Sequence, residues 1–230
     1  MITVANSKIE TQIELSSAYA SLLIVENPHE YFRFVSEMQK AMGGELSEFT
    51  FWEKTTQLQA SKLGELMLNA FSFEPMDKRI TSLLYKKLQG NFFEGELIVD
   101  FNKINAHIGA FLQSLFQTVD FALDYCELTL ESLLKVCEVN PPKAYQSFLE
   151  KLICYINIFI ELKNIRFFVF VGLKDILTDE DLIALYHHCA LQKVSLFLLE
   201  SSKKRDLLPM ERAIIITEDL CEIVENYSTP

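Results

Sequence analysis

Residues 164–209 constrain the fold more than any other stretch of the chain. They read NIRFFVFVGL, KDILTDEDLIALYHHCALQK and VSLFLLESSKKRDLLP. Residues 167–171 are an unbroken apolar run, and 194–199 are interrupted only by Ser195. Runs this short, rich in β-branched and aromatic residues, predict strands buried on both faces. Between them Thr178 is placed to cap a helix, with Asp179, Glu180 and Asp181 in its positively polarised first turn. Leu182, Leu185 and Cys189 line one face of that helix. Strand, helix and strand of these lengths form a right-handed βαβ unit. The loop leaving the second strand carries Lys203, Lys204 and Arg205, at the sheet end where ligands of open α/β folds bind.

The triplet stands out because the chain is acidic. Its formal charge is −11, with only 21 Lys and Arg in 230 residues, so a polyanion has to be met by a local basic patch. The bland alternative for the same triplet is a solvated surface turn. Half the residues are hydrophobic and 18 are Phe, which indicates a filled core rather than disorder. The length suits one large domain, or a core domain with an appended lobe. Five cysteines form no CxxC pair and fall within apolar helical patterns, as reduced core thiols of a cytosol do. The start, MITVANSKIE, lacks the apolar segment of a secretory signal. The stretch 152–162 contains Asn157 and Glu161 and is too short to span a bilayer. The expected setting is cytoplasmic, without a membrane.

Upstream, 21–25 predict a buried strand and 29–42 a helix after the turn at Asn27-Pro28. Phe32, Val35, Met38 and Met42 give that helix its inward face, and Gly43-Gly44 stop it. Residues 49–52 and 65–68 read as short strands. A helix over 77–88 turns Ile80, Leu83, Leu84 and Leu88 inward, with Arg79 and Lys86 outside and Lys87 at the edge. From Leu97, the residues Phe101, Ile104, Ile108, Phe111, Leu115, Val119 and Ala122 repeat at spacings of three and four, for about seven turns. A second run follows Pro141-Pro142: Tyr145, Phe148, Leu152, Tyr155, Phe159 and Leu162. Two long helices joined through 128–136 are expected to pair antiparallel. Residues 213–216 predict a last strand and 218–225 a terminal helix. The fold class is therefore α/β. A head with a mainly parallel sheet flanked by helices, 1–95 and 164–230, is interrupted by an all-α leg of long antiparallel helices, 96–163. Phe111, Phe116, Phe121, Phe148 and Phe159 place apolar surface on more than one leg face, which implies a further packing partner.

Catalytic patterns are sparse. The turn after the first strand, Glu26-Asn27-Pro28-His29, offers neither glycine nor lysine to a phosphate, and GxxxxGK[ST] occurs nowhere, so no nucleotide is expected. Glu200 ends a strand near Lys203, Asp175, Asp179 and Asp181, which are materials of a metal-dependent nuclease. The usual ExK spacing is absent, however, and the three aspartates suit a helix start. His187 and His188 are adjacent and diverge on a helix, unlike a metal pair. No Ser or Cys stands in a nucleophile setting. Asp120, Asp124, Glu127 and Glu131 are spaced by four, three and four. If the helix runs through, they form a stripe that is either a solvated acidic face or a set of calcium ligands between subunits.

The order of SLLIVENPHEYFRFV, ITSLLYKKLQ, the long leg helices and FFVFVGLKDILTDEDLIALYHH followed by VSLFLLESSKKRDLLP is distinctive. Taken together the chain resembles the accessory proteins of type II-A CRISPR systems that act in spacer acquisition and form tetrameric rings around DNA ends. The resemblance spans nearly the whole chain and is one of pattern and order. It implies a nucleotide-binding-like head without working phosphate chemistry, and a helical leg. It also implies a homotetrameric ring with calcium-supported interfaces and a basic inner wall for duplex ends, working with other CRISPR adaptation proteins. On that reading Lys203, Lys204 and Arg205 contact DNA, Arg79, Lys86 and Lys87 form a second patch, and Asp120, Asp124 and Glu127 hold calcium. The expected function is non-catalytic binding of double-stranded DNA ends. The alternatives are a metal-dependent nuclease and a protein-binding adaptor that uses the leg helices.

Overall fold

The strand of residues 20–25 is apolar at every position but Ser21, and it lies at the centre of the sheet it was expected to join. A computed structural model of the chain describes residues 1–69, 78–94, 96–141 and 144–227, without the side chains of 78, 79 and 94. Two compact units emerge: Met1–Glu74 with Tyr145–Pro230, and Pro75–Ala144. This differs from the division at 95/96 and 163/164 drawn from the sequence.

The first unit opens with β1 (Ile2–Asn6), β2 (Ile13–Leu15), β3 (Ala20–Val25) and α1 (Pro28–Gly43). There follow β4 (Phe49–Glu53), β5 (Thr56–Leu58), α2 (Ala60–Leu63) and β6 (Gly64–Met67). After the second unit the chain returns through α6 (Phe148–Lys163), β7 (Phe167–Val171) and a 3-10 turn (Leu173–Asp175). It ends with α7 (Asp179–Leu191), β8 (Ser195–Glu200), β9 (Glu211–Ile216) and β10 (Glu222–Asn226). A six-stranded sheet has the order β10-β9-β3-β8-β7-β6 and is parallel except where β10 meets β9. A four-stranded antiparallel sheet has the order β2-β1-β4-β5.

Side-chain alternation divides the large sheet between two cores. Leu23, Val25, Phe167, Val169, Phe197 and Leu199 pack on α1 and the small sheet, through Phe34, Met38, Val4 and Phe51. Phe51 stacks on Phe167 with ring centroids 5.1 Å apart. On the other face Phe168 meets Tyr155 of α6 at 6.4 Å. Leu152, Ile156 and Phe159 of α6, with Leu182, Leu185 and Tyr186 of α7, are buried there. Helix α6 therefore belongs to the sheet and is not one arm of a projecting pair.

Three local expectations are corrected. Helix α1 turns Phe34, Met38 and Ala41 inward, while Phe32 is 74% exposed. The row through Phe34 wins because it lies over β4, where Phe34 meets Phe49 edge-on at 5.7 Å. The expected terminal helix is the strand β10. Thr217 closes a turn by accepting the Cys221 N–H through Oγ1 at 3.0 Å, and Ile223 and Val224 then pair with Ile215 and Ile214. Finally, the long helix expected through Ala122 stops at Phe116.

The second unit comprises α3 (Lys78–Glu94), α4 (Leu97–Phe116) and α5 (Leu130–Val136). Phe92 of α3 is buried against Phe101 of α4, centroids 5.3 Å apart. After α4 the residues 117–129 are non-helical and run back beside it. Asn105 of α4 donates to the Leu128 carbonyl at 3.0 Å and accepts its N–H at 3.2 Å. Tyr125 covers Gly109, where a Cβ would stand 2.5 Å from its hydroxyl. Among the described residues no helix is long and apolar enough to cross a membrane.

Candidate nucleic-acid interface at the carboxyl end of the sheet

Strands β3, β7 and β8 deliver the turn after β7, the start of α7 and the basic loop to one edge of the sheet. Beneath them lies a buried network. Glu211, which opens β9, accepts both short bonds of the Lys174 ammonium at 2.7 Å, the Tyr186 hydroxyl at 2.6 Å and the Leu208 N–H at 2.8 Å. Burial, then the Glu211 charge, push the Tyr186 phenol far above its ordinary range. Glu200, the last residue of β8, is buried and accepts the Lys174 N–H at 3.0 Å. Burial raises its carboxyl to about 7, helped by the Asp175 charge and opposed by the Lys174 N–H bond. Tyr31 of α1 is raised to about 12 by burial, then by Glu200 and Asp175.

The basic loop sits on this floor with all three cations engaged. Lys203 pairs with Glu225 of β10 at 2.6 Å, and Lys204 with Asp175 at 2.5 Å. Arg205 pairs with Asp179 in the first turn of α7 and donates to the carbonyls of Lys174 and Leu177. The triplet is brought together at the predicted edge, but as a set of ion pairs and not as free charge. Lys204 has the most exposed side chain of the three, at 59%. The space between Glu200, Lys174 and Lys204 amounts to about 10 Å³, room for about one water.

Where a phosphate loop would stand, Asn27 caps α1 and accepts the N–H groups of His29 and Glu30 at 3.0 and 3.2 Å. Pro28 contributes no N–H, so the first turn has little left to offer an anion. Two of the nuclease candidates are likewise committed, Asp175 and Asp179 to ion pairs, while Asp181 lies in the first turn of α7 with its backbone N–H on the Thr178 cap at 3.2 Å. His187 is exposed, and His188 meets Asn157 at 2.9 Å with its pKa lowered by burial.

The second basic patch lies in the other unit. Lys86 and Lys87 are exposed on α3, and Arg79 is in the same helix with its side chain outside the described residues. Lys86 borders a groove between α3 and α5 with Lys135, which pairs with Glu131 at 2.5 Å, and the groove is therefore of mixed charge. Asp120, Asp124 and Glu127 fall in the non-helical residues 117–129, so the helical carboxylate stripe does not form. Asp124 instead accepts the Tyr125 N–H at 2.8 Å. Among the described residues no three His, Cys, Asp or Glu gather to hold a metal, and these carboxylates do not fit a calcium site within one chain.

Lys174, Glu211 and Tyr186 stand in no motif that marks them in the sequence. A lone glutamate opening the apolar strand ERAIII was the available signal, because a buried charge needs a partner.

The profile of a CRISPR-associated protein family, Cas_Csn2, matches residues 43–220. The fold is similar to that of Stu0660 of Streptococcus thermophilus, with a TM-score of 0.57 and 12% identity over 99% of this chain and 76% of that one. Two ATP-binding cassettes of ABC transporters match more weakly. The ADP conformation of MJ1267 has a TM-score of 0.48 at 12% identity, covering 95% and 87% of the two chains. A nucleotide-free cassette has 0.49 at 11%, covering 98% and 92%. Comparison with curated protein sequences returns no significant match. A family profile matched over most of the chain's length makes this a CRISPR-associated protein. The chain belongs to the Cas_Csn2 family, the accessory proteins of type II-A CRISPR systems.

Proposed function

We propose that the protein is a non-catalytic binder of double-stranded DNA ends in CRISPR adaptation. It acts in the cytoplasm as a homotetrameric ring, beside the other proteins that acquire new spacers. The observation that carries this reading is the family match over residues 43–220. The capped α1 terminus and the committed aspartates favour a role without phosphate chemistry. Lys203, Lys204 and Arg205 supply cations at the sheet edge, with Arg79, Lys86 and Lys87 as a second patch. Exposed Leu97, Val99, Phe111 and Leu115 of α4 supply apolar surface for contact between subunits. The same surface favours the adaptor alternative, in which a different protein covers it. Calcium enters only as an ion shared between subunits.

A ring loads from an end, so linear duplex is expected to bind and small closed circles of the same sequence are not. Contacts to phosphates give a log–log salt slope of about −0.9 per phosphate neutralised. Mobility shifts on the two DNA forms across a salt series test this, and equal affinity for both would overturn the threading model. Mg²⁺-dependent cutting of linear DNA that is lost in Glu200→Ala would put the nuclease first. No shift at low salt would put the adaptor first.

A further inference from the structure

The ion pairs of the basic loop separate its three cations into two kinds. Arg205 spends its guanidinium on three acceptors of its own chain: the Asp179 carboxylate and the carbonyls of Lys174 and Leu177. A planar fork satisfied on three sides is a structural brace, and moving it to a phosphate would strand two carbonyls. Lys203 and Lys204 each hold a single carboxylate, Glu225 and Asp175, through a compact ammonium on a flexible stem. Pairs between partly exposed side chains are weak, and their partners exchange readily.

We propose that Asp175 and Glu225 are resident competitors for DNA phosphates. They hold Lys204 and Lys203 in the free protein and give them up when a duplex backbone arrives, while Arg205 stays in place as the positioning residue of the loop. This rests on the reading of the loop as a DNA contact. The geometry carries it further than a basic patch would. Each lysine's carboxylate comes from a different element, Glu225 from β10 and Asp175 from the turn after β7, so the loop is neutralised from two sides. When the lysines move to phosphates, both carboxylates are left facing the polyanion. They therefore oppose binding twice, by competition beforehand and by repulsion afterwards. Affinity in this acidic protein is then set by the two acids as much as by the cations.

The test compares full-length wild type with the Asp175→Asn, Glu225→Gln double variant, using fluorescence anisotropy of a short linear duplex at several salt concentrations. A Glu10→Gln, Glu45→Gln variant removes the same charge from exposed positions remote from the loop in sequence, and circular dichroism checks that each folds. Freeing two weak pairs is expected to tighten binding about three- to ten-fold over wild type, with the control variant close to wild type. Adding Lys203→Ala and Lys204→Ala should cost more affinity in the double variant than in wild type, because more phosphate contact is then lost. If wild type and double variant bind DNA equally, or the control gains as much, the competitor role is overturned while DNA binding stands. If neither binds linear duplex at low salt, the DNA reading itself fails, and the competitor role with it. Glu225→Gln alone serves if the double variant does not fold. Arg205→Gln, which removes the charge, should lower the melting temperature and leave the salt slope unchanged, whereas a slope flattened by about one phosphate would make Arg205 a phosphate contact and remove it from the positioning role.

Discussion

Glu200 lies buried at the end of β8 against the backbone N–H of Lys174, whereas the Lys174 ammonium goes to Glu211. Its carboxyl titrates at about 7 when folded, against an ordinary 4.5. Between those values the unfolded chain releases a proton that the folded chain keeps. Stability is therefore lost as pH rises from about 4.5 to about 7 and stays lower above that, by on the order of 3 kcal/mol. Glu200→Gln keeps an acceptor for the N–H without the charge. In thermal unfolding followed from pH 4.5 to pH 8 the variant is expected to match wild type at the acid end and to exceed it above neutrality. Parallel curves would remove this role for Glu200. The neighbouring pair behaves differently, because Lys174 is the only cation on the buried Glu211 among the described residues. Lys174→Met should cost about 3–5 kcal/mol by leaving that carboxylate uncompensated. The Lys174→Met, Glu211→Gln double variant should recover a large part, read from urea midpoints.

At the scale of elements, the start of β6 depends on one absent side chain. A Cβ on Gly64 would stand 2.4 Å from two carbons of the Phe167 ring and 2.8 Å from the end of Met42. Phe167 is held in turn by its stack on Phe51. Gly64→Ala is therefore expected to cost about 1–3 kcal/mol through overpacking, measured by denaturant unfolding. In the second unit, the Asn105 side chain holds residues 117–129 against α4 by its two bonds to Leu128. Asn105→Ala should speed proteolytic cutting within 117–128 while helical content stays the same. These elements also mark where the sequence could be read. Strands β3, β7 and β8 were legible because burial on both faces leaves continuous apolar runs, and α7 because Thr178 and three acids announce its start. Of the small sheet only β4 was legible, as the short strand at 49–52. Strands β2 and β5 have three residues each, and β1 finds its partners at Ile13 to Leu15 and at Phe49 to Trp52. Val119 and Ala122 still keep helical spacing, yet the tertiary bonds of Asn105 take the backbone elsewhere. The cations of the basic loop were equally plain, as were the nearby Asp175 and Asp179, but Glu225 reaches Lys203 only because the expected terminal helix is the strand β10.

At the scale of the whole molecule, α4 leaves Leu97, Val99, Phe111 and Leu115 exposed, Phe111 at 66%. Phe111→Glu with Leu115→Glu should reduce the mass found by light scattering to that of a smaller species, if α4 forms the contacts of a tetramer. Added calcium should raise the wild-type mass or leave it unchanged. A wild-type monomer at micromolar concentration in both conditions would refute the ring. Leu23 sits between Leu199 and Ile214, so the central strand of the sheet waits for almost the entire polypeptide before either neighbour exists. During translation the apolar segment ASLLIV therefore leaves the ribosome long before β8 and β9, with two open edges and no partner on either side. Until synthesis passes residue 216 the large sheet stays incomplete, whereas the small sheet of residues 2–58 and the inserted helices α3 to α5 rest on contacts closer in sequence and are able to form while it waits.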